Sequence, residues 1–415
     1  MAESHGTASR GTEVELDVTN IAHGGVSVAR MEGRVVFVAD AIPGERVVAR
    51  ITDDSKKKFW RAETVGVLEP SEHRREHVWA EASVDRSPEV RAGGAEFGHI
   101  DLEHQRELKR QVLVDSLQRM GGIEAADVAV EAIPGEADGT GWRTRLRLHV
   151  APDGTLGPYA ARSHDVVPVA SVPLATPEVA RITPLDERFA GSTHVDIVAP
   201  SAGNAFVLAG DSTSKTRPKP QRITEVVGER EFRVDVRGFW QVHRAAAQTL
   251  TSAVQDAIDP ERFDPRAANQ DLYGGVGLLA AAVADRFGPT TRITTVEGDS
   301  LATDHAAENL VEWVGARAVT NRVDRYLRDL TSSKQRLEGA TVVLDPPRAG
   351  AGRQVIDSLV ELAPTQLVYV ACDPVALARD AGFLRERGYR LSRLRAFDLF
   401  PHTHHVEAVA SFIRE

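Results

Sequence analysis

Between Glu13 and Leu68, short Val-rich runs alternate with turn residues. VELDVTNIA, GVSVAR, RVVFVAD, ERVVARI and RAETVGVLE read as strands, separated by His23-Gly24-Gly25, Glu32-Gly33 and Pro43-Gly44. Strands this short and this closely spaced predict a small OB-like β-barrel over residues 11–70, behind a disordered tail at 1–10. The stretch 71–235 is less regular and reads as a small α+β region. His104–Met120 places apolar residues at helical spacing, and Gly121-Gly122 ends the run. Trp142–Val150 alternates as a strand does. Arg143, Arg145 and Arg147 then share one face, opposite Trp142, Leu146 and Leu148.

Over 236–415 strand-like and helix-like runs alternate, the pattern of a doubly wound sheet. Helices are expected over Ala245–Ile258, Leu278–Phe287 and Ser300–Val314, and strands over Asn269–Tyr273, Ile293–Glu297, Ala340–Leu344, Leu367–Ala371 and Ala408–Ile413. The expected class is α/β: a C-terminal Rossmann-like domain, an N-terminal OB-like barrel and a middle α+β region.

Composition narrows the setting. The chain is 42% hydrophobic and 27% charged, as soluble globular proteins are. No run approaches a membrane span, and the N-terminus has no apolar core of a signal peptide. One cysteine excludes an internal disulfide and any Cys-built metal centre. A cytoplasmic, monomeric protein fits. The formal net charge of −10 argues against a generally basic nucleic-acid binder, so RNA contact would rest on local cations. Lys56-Lys57-Lys58-Phe59-Trp60 interleaves cations with aromatics, as a surface for single-stranded RNA would, or forms a solvated hairpin tip. Arg143, Arg145 and Arg147 would meet phosphates or form a salt-bridged sheet face. Lys215–Arg222 is a basic loop that would touch an RNA backbone or simply be solvated.

Four motifs fall at strand ends, where an open α/β sheet carries its chemistry. DLYGGVG, with Glu297 ending the next strand, marks a nucleotide-type cofactor: Gly275 and Gly277 let backbone approach the ligand, and an acid takes a ribose hydroxyl. NAD(P) and S-adenosylmethionine both fit; the tight G-G-x-G spacing favours the latter. Asp345-Pro346-Pro347-Arg348 is a rigid loop without amide donors at its prolines, and it turns Asp345 toward a ligand. Cys372 follows a strand and precedes a helix, whose N-terminus would lower the thiol pKa; taken alone it is as readily a small core residue. Phe400-Pro401-His402-Thr403-His404-His405-Val406-Glu407 has no zinc-ligand spacing, and Glu407 is a candidate general base.

Together DLYGGVG, TVEGD, LDPPRAG, VACDPVALARD and FPHTHHVE resemble the RNA 5-methyluridine methyltransferase family, and Gly238–His243 is similar to its F-F-Q-V-N segment. The N-terminal module resembles the TRAM domain. The resemblance implies S-adenosylmethionine-dependent methylation of uridine C5 in a single-stranded loop of rRNA or tRNA. It implies Cys372 as nucleophile on C6 and Glu407 as the base. It also implies Gln241, Tyr273, Glu297 and Asp345 as cofactor ligands, beside Gly275 and Gly277 of the glycine turn; Arg348, Lys57, Arg143 and Arg145 are the candidate RNA contacts. Where some members carry iron–sulfur cysteines this chain has Ala92, Ala95 and a site near Val172, which implies no cluster. Ala371, Asp373 and Leu278 depart from the commoner Ser, Asn and Asn, and an acid beside Cys372 would disfavour thiolate unless it points away. An inactive RNA-binding paralogue and an NAD(P)-dependent oxidoreductase are the alternatives.

Overall fold

The computed structural model describes residues 9–161, 163–211 and 219–415. β1 (Glu13–Ala22), β2 (Val26–Met31), β3 (Arg34–Ala39), β4 (Arg46–Asp53) and β5 (Phe59–Glu69) close into a barrel in the order β1-β2-β3-β5-β4. Alternate residues fill it: Leu16, Val18, Val36, Val38, Val47, Ala49 and Ile51 are all buried. Closure leaves no open sheet edge, which suits a module this small. Two ion pairs fix the barrel to the next segment. Glu45, fully buried, binds Arg74 at 2.5 Å, and Asp40 binds Arg91 at 2.8 Å.

Helix α1 (Leu102–Ser116) starts at Asp101, whose carboxylate accepts the His104 amide. It widens into a π turn over Leu117–Gly121 and stops at Gly122, which is left-handed at φ 60°. β6 (Val130–Glu131) follows. Then β7 (Arg145–Val150), β8 (Leu156–Gly157), helix α2 (Pro177–Ile182), β9 (His194–Val198) and β10 (Phe206–Gly210) build an antiparallel sheet in the order β10-β9-β7-β8. β11 (Arg222–Val227) and β12 (Arg230–Asp235) form a separate hairpin.

The C-terminal half centres on an eight-stranded sheet. Helices α3 (Ala246–Ala257), α4 (Leu278–Phe287) and α5 (Ser300–Asn309) pack mainly on one face. Helices α6 (Val323–Ser332), α7 (Gly352–Leu362) and α8 (Pro374–Arg385) pack on the other. The strands are β13 (Asn269–Leu272), β14 (Ile293–Glu297), β15 (Ala316–Thr320), β16 (Thr341–Leu344), β17 (Gln366–Ala371), β18 (Tyr389–Phe397) and β19 (Glu407–Arg414), with β6 as the eighth. Their order is β15-β14-β13-β16-β17-β19-β18-β6. β13 to β17 are parallel, and β19 runs antiparallel between β17 and β18. β17 is buried at every position, as the centre of a two-faced sheet requires.

The expected α/β architecture and barrel are observed. The helix expected over Ser300–Val314 is shorter, because Leu310 leaves helical geometry and Trp313 turns into the core. Two elements of the middle stretch join the C-terminal layers. β6 pairs with β18, and Leu113 and Leu117 of the α1 segment enter the core beneath α8. Ala92 and Ala95 pack against Trp79 and Trp142, so apolar contacts fill both positions. No helix among the described residues is long and apolar enough to cross a membrane.

Lys109 of α1 is fully buried and binds Asp398 at 2.5 Å, as well as the Phe400 carbonyl at 3.0 Å. A buried charge stripped of its partner is costly. Replacing Lys109 with Met, which orphans Asp398, is expected to lower stability by about 3–5 kcal/mol in urea denaturation. A loss under about 1 kcal/mol would show the pair to be dispensable.

Candidate active site

The carboxyl edge of the parallel strands collects the acids. Asp271, near the end of β13, is fully buried. Its Oδ2 accepts from Thr295 Oγ1 at 2.9 Å and from the Ala280 amide at 3.2 Å, while Oδ1 has no partner. Burial pushes its pKa up to about 7. Tyr273 then takes a left-handed backbone at φ 61°, rare for an aromatic residue and a mark of a backbone held by its surroundings. Gly274 allows this turn to lie against β14. A Cβ there would stand 1.9 Å from Thr295 Oγ1 and 2.5 Å from Asp271 Oδ2. Glu297, at the end of β14, accepts the amides of Gly275 at 3.1 Å and Asp299 at 2.8 Å. Leu278 packs into the core.

The next strand end, β16, carries Asp345. Burial, and then the charge of Asp271, push its pKa up to about 7. The loop after it is clamped by Asp380 of α8, a buried acid that accepts the amides of Ala351 (2.8 Å) and Gly352 (3.1 Å) and the Tyr369 hydroxyl (2.8 Å). Arg379 adds a bond to the Ala349 carbonyl at 2.7 Å. The rigid loop expected from two prolines is thus also tied down from outside.

Cys372 and Glu407 come next. Ala371 pairs with Ala408 across the β17–β19 ladder, which sets the residues flanking that pair, Cys372 and Glu407, side by side at the edge. Glu407 is 4% exposed, and burial, followed by Asp345, raises its pKa well above the carboxylate range. The Cys372 thiol is pushed up to about 12 by burial and by Glu407 and Asp345, with Arg348 acting the other way. This corrects the expectation that the helix N-terminus favours thiolate: at this site desolvation and like charge outweigh the helix dipole. Asp373 turns away. Its Oδ1 caps α8 through the Ala376 amide at 2.8 Å, and its Oδ2 faces His23 Nε2 at 2.8 Å.

The loop carrying Glu407 is braced by α1. His402, left-handed at φ 65°, donates from Nε2 to the Asp138 carbonyl at 2.7 Å and accepts at Nδ1 from Gln105 at 3.1 Å. Gln105 Oε1 accepts the His402 amide at 2.7 Å. Burial pushes His405 down to about 3, so it is neutral, and His404 faces Glu96 at 3.5 Å. Among the described residues no group of three or more His, Cys, Asp or Glu side chains could hold a metal.

The expected RNA-contacting cations divide. Arg348 is exposed and close enough to Cys372 and His405 to act on both electrostatically. Arg143 lies over the Trp142 ring at 4.9 Å, within electrostatic range of Glu96 and Arg348. Arg145 is a correction. It binds Glu225 at 3.2 Å and the Gly238 carbonyl at 2.9 Å, so its guanidinium is engaged in the interior. Arg147 pairs with Asp196 at 2.7 Å; these two arginines follow the salt-bridged reading.

Lys57 is exposed but remote. The antiparallel register of β1 and β4 sets Glu13 opposite Arg50, which puts the β4–β5 loop at the barrel end away from His23. Trp60 is buried under Arg34 and Phe59 packs edge-on to Phe37, so neither ring is free to stack a base. Of the Lys215–Arg222 loop, Lys215 and Arg217 lie outside the described residues, and Arg222 pairs with Glu308 at 2.8 Å. Gln241 is half-buried on a segment whose Val242 carbonyl accepts from the Thr144 amide at 2.8 Å.

Gln105, Lys109, Asp380 and His23 went unread in the sequence. Asp380 alone carried a signal, as the last residue of the LARD run; the others act across long separations.

The sequence profile of the tRNA (Uracil-5-)-methyltransferase family matches residues 306–414, and the TRAM domain profile matches residues 8–65. A Streptomyces avermitilis protein named as an uncharacterized RNA methyltransferase is 35% identical over 96% of this chain and 98% of its own length. The 23S rRNA (uracil(1939)-C(5))-methyltransferase RlmD of Mannheimia succiniciproducens is 28% identical over 97% of this chain and 96% of its own. In fold, the chain is similar to the Pyrococcus abyssi tRNA (uracil-54, C5)-methyltransferase solved with S-adenosyl-L-homocysteine. The TM-score is 0.69 at 19% identity, over 96% of this chain and 99% of that one.

A thiol with its pKa near 12 gains thiolate tenfold per pH unit below that value. Iodoacetamide alkylation of Cys372 in the free protein is therefore expected to accelerate steadily from pH 7 to 9. A plateau beginning below pH 8 would contradict the electrostatics described above.

Proposed function

The chain belongs to the S-adenosylmethionine-dependent RNA uracil-C5 methyltransferases, with a TRAM domain at its N-terminus, and from that membership we propose how its residues act and on what. The target is a uridine in a single-stranded loop of rRNA or tRNA, extruded so that its ring reaches the edge between Cys372 and Glu407. The observation that carries this reading is the adjacency of these two residues across the β17–β19 ladder, with Asp345 within electrostatic range of both.

The cofactor side fits a cation. Asp271, buried, and Asp345, half-buried, are acids raised to about 7, and Asp271 Oδ1 is unpartnered. Such a donor set suits a ligand bearing sulfonium and ammonium charges and repels the pyrophosphate of a dinucleotide, which speaks against the NAD(P) alternative. Glu297 would hold the ribose hydroxyls, Gly275 and Gly277 the close backbone approach, and Gln241, Tyr273 and Asp345 the remainder. When bound, S-adenosylmethionine supplies the methyl group that C5 of the uracil takes up.

C5 of uracil is a poor nucleophile until C6 is attacked. Cys372 gives its proton to solvent, its Sγ bonds to C6, and the C5–C6 π electrons move toward C5 and O4. Arg348 lowers the cost of placing negative charge on the sulfur. After C5 is methylated, Glu407 takes the C5 proton, the C5–C6 double bond returns, and the C6–S bond breaks to free Cys372. Because burial holds Glu407 protonated in the free protein, it serves as base only once it has ionised in the complex. Arg143 and Arg348 line the approach for the RNA backbone.

Cys372→Ala is expected to abolish tritium release from 5-tritiated uridine RNA while S-adenosylmethionine still binds in calorimetry. Full release would sink the mechanism, and loss of release in the unaltered protein would mark an RNA-binding paralogue. Glu407→Gln is expected to accumulate a denaturant-stable protein–RNA species, and its absence would remove Glu407 as the base. Mass spectrometry of nucleosides, mapped by position, from cells with and without the protein identifies the uridine.

A further inference from the structure

The turn between β1 and β2 leaves the barrel and becomes part of the active-site wall. His23 Nε2 lies 2.8 Å from Asp373 Oδ2, across 350 positions of chain. Gly25, left-handed at φ 72°, approaches His404 so closely that a Cβ would stand 2.7 Å from the His404 Cβ. His23, Gly24, Gly25, Cys372, Asp373 and His404 line one small enclosed space. The sheet edge does not need a barrel residue to be complete, so this contact asks for its own explanation.

Asp373 supplies it. A carboxylate next to Cys372 that could swing toward Sγ would oppose thiolate formation. Neither oxygen is free to do so: Oδ1 caps α8 and Oδ2 meets His23. We propose that His23 is a positioning residue of the active site, a barrel side chain that holds the Asp373 carboxylate on the helix cap and off Cys372, so that the nucleophile forms only when the barrel is seated. The proposal rests on the reading of Cys372 as nucleophile.

The surrounding charges agree in direction. The bond to Asp373 raises the His23 pKa against the effect of burial. Burial pushes Asp373 up, but His23 and the Ala376 amide outweigh it and hold the acid below its usual range. The other charged and titratable groups around Asp373 and its thiol neighbour are Glu407, Asp345 and Arg348 at the edge, Lys109 on α1, and His404 and His405 on the facing loop. Glu407 and Asp345 oppose the thiolate most, Asp373 opposes it less from its place on the helix cap, and His23 keeps that third carboxylate from coming nearer. As pH rises through the raised His23 value the imidazolium loses its proton, and the restraint weakens.

The test is a double-mutant cycle on the full-length protein, read by iodoacetamide alkylation of Cys372 and, separately, by tritium release against pH. His23→Ala is expected to slow both on the order of tenfold more in the Asp373 background than in the Asp373→Asn background, one pKa unit of coupling. Any change in access to the thiol is common to both backgrounds and cancels. His23→Gln, which keeps an N–H donor, is expected to restore most of the rate. An equal effect of His23→Ala in both backgrounds, or no effect in either, would overturn the proposal. Alkylation needs no RNA, so the coupling is judged apart from the nucleophile assignment, which Cys372→Ala decides.

Discussion

The structure depends on one electrostatic constraint: acids crowded at the carboxyl edge of a buried parallel sheet. Asp271, Asp345 and Glu407 stand on or just after neighbouring strands, with Cys372 among them. Buried carboxylates without an internal cation are pushed toward their neutral forms, and a neighbouring thiol is held protonated. The free enzyme therefore keeps its nucleophile and its base unready. Arg348 offsets part of this for the sulfur, and a cationic cofactor brings further charge of the needed sign.

Such an edge works only if its loops do not relax, since a shift that admitted water would dissipate the effect. Asp380 pins the Asp345 loop from α8 through bonds to two amides. Gln105 and Lys109 pin the Phe400–Glu407 loop from α1. The turn at His23–Gly25 closes the Cys372 side from the barrel. These braces come from the barrel, from α1 and from within the C-terminal sheet layers, so the site is joint property of the whole chain.

The central edge was legible because two of its strands are short apolar runs ended by an acid and proline, TVVLDPP and LVYVACDP, and a third, NQDLYGG, runs into a glycine turn. Strands such as Ala316–Thr320 and Tyr389–Phe397 were not, because mostly exposed arginines interrupt their apolar pattern. The arginine face of β7 was correctly placed on a strand but its partners were hidden. Glu225 lies 80 positions from Arg145, and local sequence cannot say whether a cation is free or paired. The Cys372 pKa failed for the same reason. A helix N-terminus is a local feature, whereas the burial and the acids that outweigh it belong to the tertiary fold.

The proposed chemistry turns on one bond, from Cys372 to C6 of the target uracil. RNA carrying 5-fluorouridine tests it most directly, because Glu407 can remove a proton from C5 but not fluorine, and the adduct is held after methyl transfer. With S-adenosylmethionine present, the intact mass of the denatured protein is predicted to rise by the RNA plus one methyl group. Peptide mapping is predicted to place the nucleotide on Cys372. Methylation of the unsubstituted RNA by the same preparation, with no adduct on the fluorinated one or with an adduct on another residue, would contradict the account.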